Sequence, residues 1–289
     1  LTGRHLALWV RMDDLSKLTG LTIYAGASGL SSFWAWTIIK STDPTPWFRA
    51  GEWVYVTLPF PASTTTGTPN RAAIDTVRIW SNGTATVWAN AIGHVADGSA
   101  RRGGVVSITF DDGYSSMIPA ARQSMTPRGY AATLYGIADR VGATGFLTAA
   151  EYAELAQVHG WDIEAHGLPD YSTMSAADLR DEFTKTKRWL NGAGLSRGDH
   201  MAWPMGYNSE AAKVVAREYF ATARTIAGNT RESWPPADPL RLRAITGISS
   251  YAGGYSIASV KAAIDRVAAE GGWLLLVFHR ITDTPASTM

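Results

Sequence analysis

The sequence predicts an α/β fold, a barrel of alternating strands and helices from residue 105 onward, preceded by an all-β sandwich over residues 1–96. Three observations carry this expectation. The run Val105-Val106-Ser107-Ile108-Thr109-Phe110-Asp111-Asp112-Gly113 is apolar and β-branched and ends on two carboxylates and a glycine, as does a strand covered on both faces. Two further strand-like runs end on a histidine: Trp161-Asp162-Ile163-Glu164-Ala165 delivers His166, and Trp273-Leu274-Leu275-Leu276-Val277-Phe278 delivers His279. Polar groups at strand ends, separated by helical segments, are the sequence form of a site on the carboxyl face of a β/α barrel. Before residue 96, by contrast, every periodic segment is β-branched or aromatic and punctuated by turns.

In the first region, strands are expected at residues 6–12, 21–25, 33–39, 53–58, 74–80 and 86–92. Ser81-Asn82-Gly83-Thr84 predicts a hairpin joining the last two, and the Pro/Ser/Thr-rich residues 59–69 predict a loop. Of the 12 tryptophans, seven precede residue 90. Trp34 and Trp36 alternate and so share a face; packing in the sandwich core is favoured over stacking on sugars. Residues 97–104 form a polar, glycine-containing linker, and residues 105–289 form the second domain. There, helical spacing marks residues 149–158, 176–191 (Leu179, Phe183, Leu190), 209–218 and 257–270 (Val260, Ile264, Val267). Ser175 with Asp178 and Ser256 with Ser259 are the expected N-terminal caps. A short strand is expected over Met201-Ala202-Trp203-Pro204-Met205-Gly206.

Asp111 and Asp112 at a buried strand end repel each other unless a cation or proton compensates them. Gly113 allows the sharp turn that brings both to one cavity. By itself Asp-Asp-Gly also fits an ordinary turn, a lone histidine is more often a hydrogen-bonded core residue than a ligand, and Asp170 before Tyr171-Ser172-Thr173 fits a turn as well as a site. Trp203, Tyr207 and Trp273 could stack on sugar rings or simply pack. His159 and His200 are expected to face solvent or support the site.

Taken in order, these segments resemble the polysaccharide deacetylase family, the NodB-homology or family-4 carbohydrate esterases, over residues 104–285. Thr109-Phe110-Asp111-Asp112-Gly113 matches the first family motif, Leu276-Val277-Phe278-His279 the last, and Tyr135-Gly136-Ile137-Ala138-Asp139, Gly145-Phe146-Leu147-Thr148 and Asp238-Pro239-Leu240-Arg241-Leu242-Arg243 resemble one branch of it. The resemblance implies a distorted (β/α) barrel and a metal-dependent hydrolase acting on carbon–nitrogen bonds other than peptide bonds, which removes acetyl groups from an N-acetylated polysaccharide. It implies a divalent metal on Asp112, His166 and Asp170, zinc first, with manganese, cobalt or nickel as alternatives. It further implies Asp111 as the base, the Met205 backbone N–H as oxyanion donor, and His279 as the acid, with Trp203 and Tyr207 near the substrate. Two positions depart from the family: Asp170 stands where a second histidine is expected, and Ala202 where many members carry the arginine that orients the base. Arg243 is the candidate to restore that charge. The first 96 residues resemble jelly-roll carbohydrate-binding modules.

The balance of 26 basic and 25 acidic side chains, formal net charge +1, gives no field for nucleic acid or an acidic membrane surface and favours a neutral polymer as partner. No cysteine is present, which excludes disulfides and thiolate ligands. No apolar run reaches the length of a membrane span. An exported, cell-surface or phage-particle setting is expected, and so is an excised piece of a longer protein that lacks a closing helix; oligomeric state is left open. The alternatives are an O-acetyl esterase on a glycan, or a carbohydrate-binding or structural surface or phage-tail protein whose barrel has lost turnover through the changes at Asp170 and Ala202.

Overall fold

The computed structural model describes residues 1–40, 48–98, 103–226, 231–248 and 255–282, so Trp47 and residues 99–102 of the expected linker lie outside the described residues. The chain divides into two compact units. One comprises Leu1–Val105, Thr230–Asp238 and Ala262–Leu274, the other Val106–Asn229, Pro239–Lys261 and Leu275–Met289. Among the described residues, no helix is long and apolar enough to cross a membrane.

The first unit is built on seven strands: β1 (Arg4–Met12), β2 (Leu18–Ala27), β3 (Ser32–Lys40), β4 (Val54–Leu58), β5 (Thr64–Thr66), β6 (Thr76–Gly83) and β7 (Val87–Ala96). They pair antiparallel in two sheets, ordered β4-β1-β7 and β5-β3-β2-β6. Alternation along the strands buries Leu8, Val10 and Met12 of β1, Leu21 and Ile23 of β2, and Val54, Val56 and Leu58 of β4, which is what a sandwich core requires. Trp34 and Trp36 are buried, as expected, with ring centroids 4.9 and 5.4 Å from that of Phe60. The Trp36 Nε1–H donates to the Pro59 carbonyl at 2.7 Å.

Two expectations need correction. The stretch 81–84 is not a hairpin turn, because β6 pairs with β2 whereas β7 pairs with β1. It carries the chain from one sheet to the other. Gly83 (φ +119°) lies so close to the Lys17 carbonyl that an added Cβ would come within 2.0 Å of the oxygen, and Thr84 N–H donates to that same oxygen. The turn's hydrogen bonds therefore go to the start of β2 rather than across a two-strand turn. The second correction is β5, which lies inside the expected loop 59–69. Its three threonines are all exposed, so no apolar alternation announced it.

The second unit contains the strands β8 (Val105–Asp112), β9 (Thr133–Gly136), β10 (Asp162–Ala165), β11 (His200–Ala202), β12 (Thr222–Arg224) and β13 (Trp273–Phe278), in the order β12-β11-β10-β9-β8-β13. From β8 to β12 all pairings are parallel. The helices of this unit are α1 (Gln123–Met125), α2 (Ala149–Gln157), α3 (Ala176–Gly192) and α4 (Glu210–Ala216), while α5 (Ile257–Glu270) belongs to it as far as Lys261 and to the first unit from Ala262. Thr148 and Glu151 cap α2 reciprocally, and Ser175 caps α3 through the Asp178 N–H, which fixes where each helix starts. Residues 242–245 touch both edges of the sheet. Leu242 pairs with Arg224 of β12, and Ile245 with Leu276 of β13, both parallel. This short segment closes the sheet into the expected barrel.

Register sorts the side chains of the barrel by face. Phe110, Leu134, Ile163, Met201 and Ala223 share one core with Leu155, Leu179, Phe183, Leu190 and Val215 of the helices. Their neighbours along the strands point the other way, into the barrel. Asp111 is opposite Tyr135, Tyr135 opposite Glu164, and Ala202 opposite Arg224.

Glu164 is buried, and its Oε2 accepts from the His200 N–H at 2.9 Å. Burial outweighs that hydrogen bond and pushes its carboxyl from 4.5 up to about 7. The folded chain then holds the proton more tightly than the unfolded chain does. The resulting stabilisation is complete below the unfolded value and is lost as pH rises through about 7. Relative to Glu164→Gln, the wild type is expected to lose about 2 kcal/mol of unfolding free energy between pH 5 and pH 8.5, read from urea titrations at the two values.

Candidate active site

At the carboxyl end of β8 the chain leaves the strand through two left-handed residues, Asp112 (φ +70°) and Gly113 (φ +85°). An aspartate in this region is uncommon, and it re-aims the side chain relative to Asp111. Gly113 is required twice over: by its φ, and because an added Cβ would lie 2.0 Å from the Tyr152 hydroxyl. Asp111 itself is buried. Both of its oxygens accept from Arg224 Nη2, at 2.6 and 2.5 Å, and its Oδ2 is 3.6 Å from His279 Nε2 at the end of β13. Burial alone would push the Asp111 carboxyl up. The Arg224 guanidinium, with His166 and His279, outweighs burial and holds it below the usual carboxylate range.

Arg224 is fully buried, and its Nη1–H donates to the Thr225 carbonyl at 3.1 Å. It compensates the Asp111 charge from another strand, the role for which the sequence reading named Arg243 and not Arg224. Arg243 is buried in the closing segment. Arg224 is the register partner of Ala202 on the adjacent strand. The guanidinium missing from residue 202 is thus supplied at the same level of the barrel, one strand over. The available signal was faint: an arginine between Ala223 and Thr225 in a strand of three residues.

His166 follows β10 and is buried. Its Nδ1 lies 2.8 Å from the Ala202 carbonyl, and a carbonyl can only accept, so Nδ1 carries the proton. Nε2 faces Asp112 Oδ1 at 3.3 Å. A neutral imidazole would set a lone pair against a carboxylate there, so the pair calls for a second proton or a cation between them. Burial lowers the His166 pKa, but the hydrogen bond to Asp112 and the charges of Asp111 and Asp112 raise it further than burial lowers it. A fixed Nδ1–H and an Nε2 lone pair beside a carboxylate oxygen are a fitting two-ligand cradle for a divalent ion.

Asp170 does not complete that cradle. Its Oδ1 accepts from Ser172 N–H at 2.9 Å and Ser172 Oγ–H at 2.6 Å, capping the turn Tyr171–Thr173. Among the described residues, no three His, Cys, Asp or Glu side chains converge as a ligand set. Asp170 Oδ1 is thus engaged by the backbone amide and hydroxyl of Ser172, as the turn reading expects.

Beyond β11, Pro204–Gly206 makes a tight turn with Met205 at φ +53°. Among the described residues no acceptor takes the Met205 N–H. Met205 and Tyr207 are exposed, whereas Trp203 is buried with its Nε1–H donated to the Leu240 carbonyl at 2.8 Å. Trp203 therefore packs and does not stack on a ligand; Tyr207 remains at the rim. His159 pairs with Glu154 at 3.2 Å, and His200 Nδ1 lies 2.9 Å from Thr222 Oγ1.

The parallel barrel gathers two carboxylates, two imidazoles and a buried guanidinium at its strand ends, where a barrel of this kind places its site. Residues 98–223 match the family described as "Polysaccharide deacetylase". The chain is 28% identical over 160 residues to YxkH of Bacillus subtilis (strain 168), whose own assignment as a polysaccharide deacetylase is provisional. The match covers 54% of this chain and 57% of that protein, so the chain spans little more than half the length of this curated relative. Among solved structures it is similar to the Streptococcus pyogenes deacetylase PplD in complex with acetate, with TM-score 0.48 and 22% identity over 55% of this chain and 70% of that one. It is also similar to a polysaccharide deacetylase from Bacillus cereus, with TM-score 0.49 and 12% identity over 89% and 95% of the two chains.

Removing the Arg224 charge leaves a buried carboxylate uncompensated. Arg224→Gln is expected to lower the unfolding free energy by about 3–5 kcal/mol. Arg224→Gln combined with Asp111→Asn should recover a large part of that loss, a coupling readable from a double-mutant cycle in urea.

Proposed function

We propose that the chain hydrolyses acetyl groups on an N-acetylated polysaccharide, such as chitin, poly-N-acetylglucosamine or the glycan of peptidoglycan. The observation that carries this reading is Asp111, held ionised in a buried site by Arg224 and set 3.6 Å from His279. Amide hydrolysis needs one group to take a proton from water and another to deliver one to the departing nitrogen. Asp111 Oδ2 takes the proton; Arg224 keeps that oxygen anionic until it does. His279, whose side chain is 35% exposed, reaches both Asp111 and the open side of the site and returns a proton from Nε2 to the amine. The Met205 N–H, held outward by the left-handed turn, donates to the carbonyl oxygen as negative charge gathers there.

The family implies a divalent metal, and Asp112 with His166 would hold it. The chemistry that such an ion would supply there is polarisation of the acetyl carbonyl and acidification of a water. Zinc suits the mixed imidazole and carboxylate donors, and manganese, cobalt and nickel share that preference in part. Ala202 O fixes the ring of His166, and Asp112 is aimed by its left-handed backbone; neither depends on Asp170. An exported or cell-surface setting agrees with a polymeric glycan substrate, and the reading requires no nucleic acid and no membrane insertion.

Acetate release from N-acetylglucosamine oligomers, followed by a coupled assay, is expected to fall at least about 10²-fold in Asp111→Asn and in His279→Ala. Release unchanged in both would overturn the assignment. If His279→Ala abolishes amide cleavage but spares acetylated xylan, the substrate is an ester and the leaving group needs no acid.

Metal content offers an independent check. Elemental analysis of the protein dialysed against zinc should find about one ion per wild-type chain, and little in Asp112→Ala or His166→Ala. Asp170→Asn should retain the ion, since Asp170 Oδ1 caps the Ser172 turn.

A further inference from the structure

The first unit sorts its tryptophans into two populations. Trp34 and Trp36 are core residues, but Trp9, Trp53, Trp80 and Trp88 are 41%, 42%, 45% and 40% exposed. Three of these four belong to one sheet or its edge. On β1, Leu8, Val10 and Met12 point into the core, so Trp9 and Arg11 point out of it. On β4, Val54 and Val56 are buried and Tyr55 between them faces outward. Trp9 is the register partner of Tyr55 on one side and of Asn90 on the other. Arg11 is the partner of Trp88, and its guanidinium carbon lies 5.1 Å from that ring's centroid. The Trp9 and Tyr55 rings sit 5.2 Å apart and tilted by 45°. Trp53 stands immediately before β4.

The outer face of the β4-β1-β7 sheet is therefore a band of aromatic rings interleaved with an arginine and an asparagine, about 10 Å across from β4 to β7. Rings left this open to water do not serve the core, and contiguous exposed apolar surface marks a binding face. The chemistry of the band narrows the occupant. Aromatic planes offer stacking to flat, weakly apolar rings, while Arg11, Asn90 and the Tyr55 hydroxyl offer hydrogen bonds at the ring edges. The Arg11 charge is taken up by the face of Trp88, and the chain as a whole carries a formal net charge of only +1, so nothing here selects a polyanion. A pyranose ring has apolar faces and a rim of hydroxyls, which is the complementary pattern.

We propose that this face binds a neutral polysaccharide, with sugar rings stacked on Trp9 and Trp88 and their hydroxyls bonded to Arg11, Asn90 and Tyr55. The choice of polymer rests on the reading of the barrel as a deacetylase; the binding face does not. Holding the polymer on the same chain raises its effective concentration at the barrel, so the benefit falls on long or insoluble substrates and not on short oligomers.

The test uses the full chain with Asp111→Asn, which leaves the probe intact, with and without Trp9→Ala and Trp88→Ala together. Retention on insoluble chitin and on purified peptidoglycan is measured by pull-down. Wild-type and Asp111→Asn chains should be retained alike on at least one of the two. The double tryptophan substitution should weaken retention about tenfold or more, while the same two substitutions made in the wild-type chain should leave thermal unfolding and acetate release from a short soluble oligomer unchanged. Equal retention with and without the two tryptophans overturns the proposal, as does failure of both the wild-type and the Asp111→Asn chains to bind either polymer. A dimer that dissociates in the double variant, seen by sedimentation at increasing concentration, would assign the face to a second copy of the chain instead. Tryptophan-dependent retention without acetate release from any substrate would leave this face standing and remove the deacetylase reading; the converse pattern would remove only the face.

Discussion

The contact between Arg224 and Asp111 constrains everything around it. The two residues stand on β12 and β8, which are separated in the sheet by β11, β10 and β9. In a flat sheet four strand spacings amount to about 19 Å, beyond the combined reach of an arginine and an aspartate. Oxygens and nitrogen at 2.5–2.6 Å are possible only because the sheet curls, with residues 242–245 joining its edges. The ion pair and the barrel therefore depend on each other. Curling brings the charges within reach, and an open sheet would leave a carboxylate and a guanidinium in an interior that cannot hold either alone.

That dependence explains why the site tolerates its departures from the family pattern. An arginine is needed at one level of the barrel, not at one position in the sequence. Ala202 leaves the space, and Arg224 fills it from the adjacent strand. Asp170 is a different case. Among the described residues no third His, Cys, Asp or Glu joins Asp112 and His166, and the Asp170 Oδ1 turns back on its own loop and caps the Tyr171–Thr173 turn. What survives is the pair Asp112 and His166, fixed by backbone geometry on one side and by the Ala202 carbonyl on the other. Ala202 thus acts twice, through the side chain it lacks and through its carbonyl oxygen.

The sequence was informative wherever a side chain and its strand lay in one continuous run. Phe110-Asp111-Asp112-Gly113, Ala165-His166 and Phe278-His279 announced both the barrel and three of its site-bearing strand ends. The four longer helices announced themselves by periodicity, and Ser175 by its cap. Partnerships across the barrel left no local mark, and Arg224 was missed for that reason: a strand of three residues has too little alternation to be seen, and its partner is 113 positions away. The hairpin expected at Ser81-Asn82-Gly83-Thr84 failed for a related reason. Asn-Gly chemistry specifies a turn, but not which sheet receives the strand that follows. For the tryptophans, composition could not separate packing from display, since both populations occur on strands of the same unit.

Two points of backbone strain tie the fold to the chemistry. At the ends of β8 and β11 the chain enters the site through paired left-handed residues, Asp112 with Gly113 and Met205 with Gly206. A side chain in this region costs about 1 kcal/mol or more, and it persists only where the surroundings leave no alternative. Each glycine supplies that enforcement: an added Cβ at Gly113 would lie 2.0 Å from the Tyr152 hydroxyl, and at Gly206 2.4 Å from Ile226 Cγ1. Tyr152 and Ile226 thus hold the glycines flat against the barrel wall, and the residue before each is swung outward. In one case this aims a carboxylate at His166; in the other it frees a backbone N–H. These two strained positions, Asp112 and Met205, are those on which the proposed chemistry draws, and the packing of Tyr152 and Ile226 against the glycines that follow them holds the strain in place.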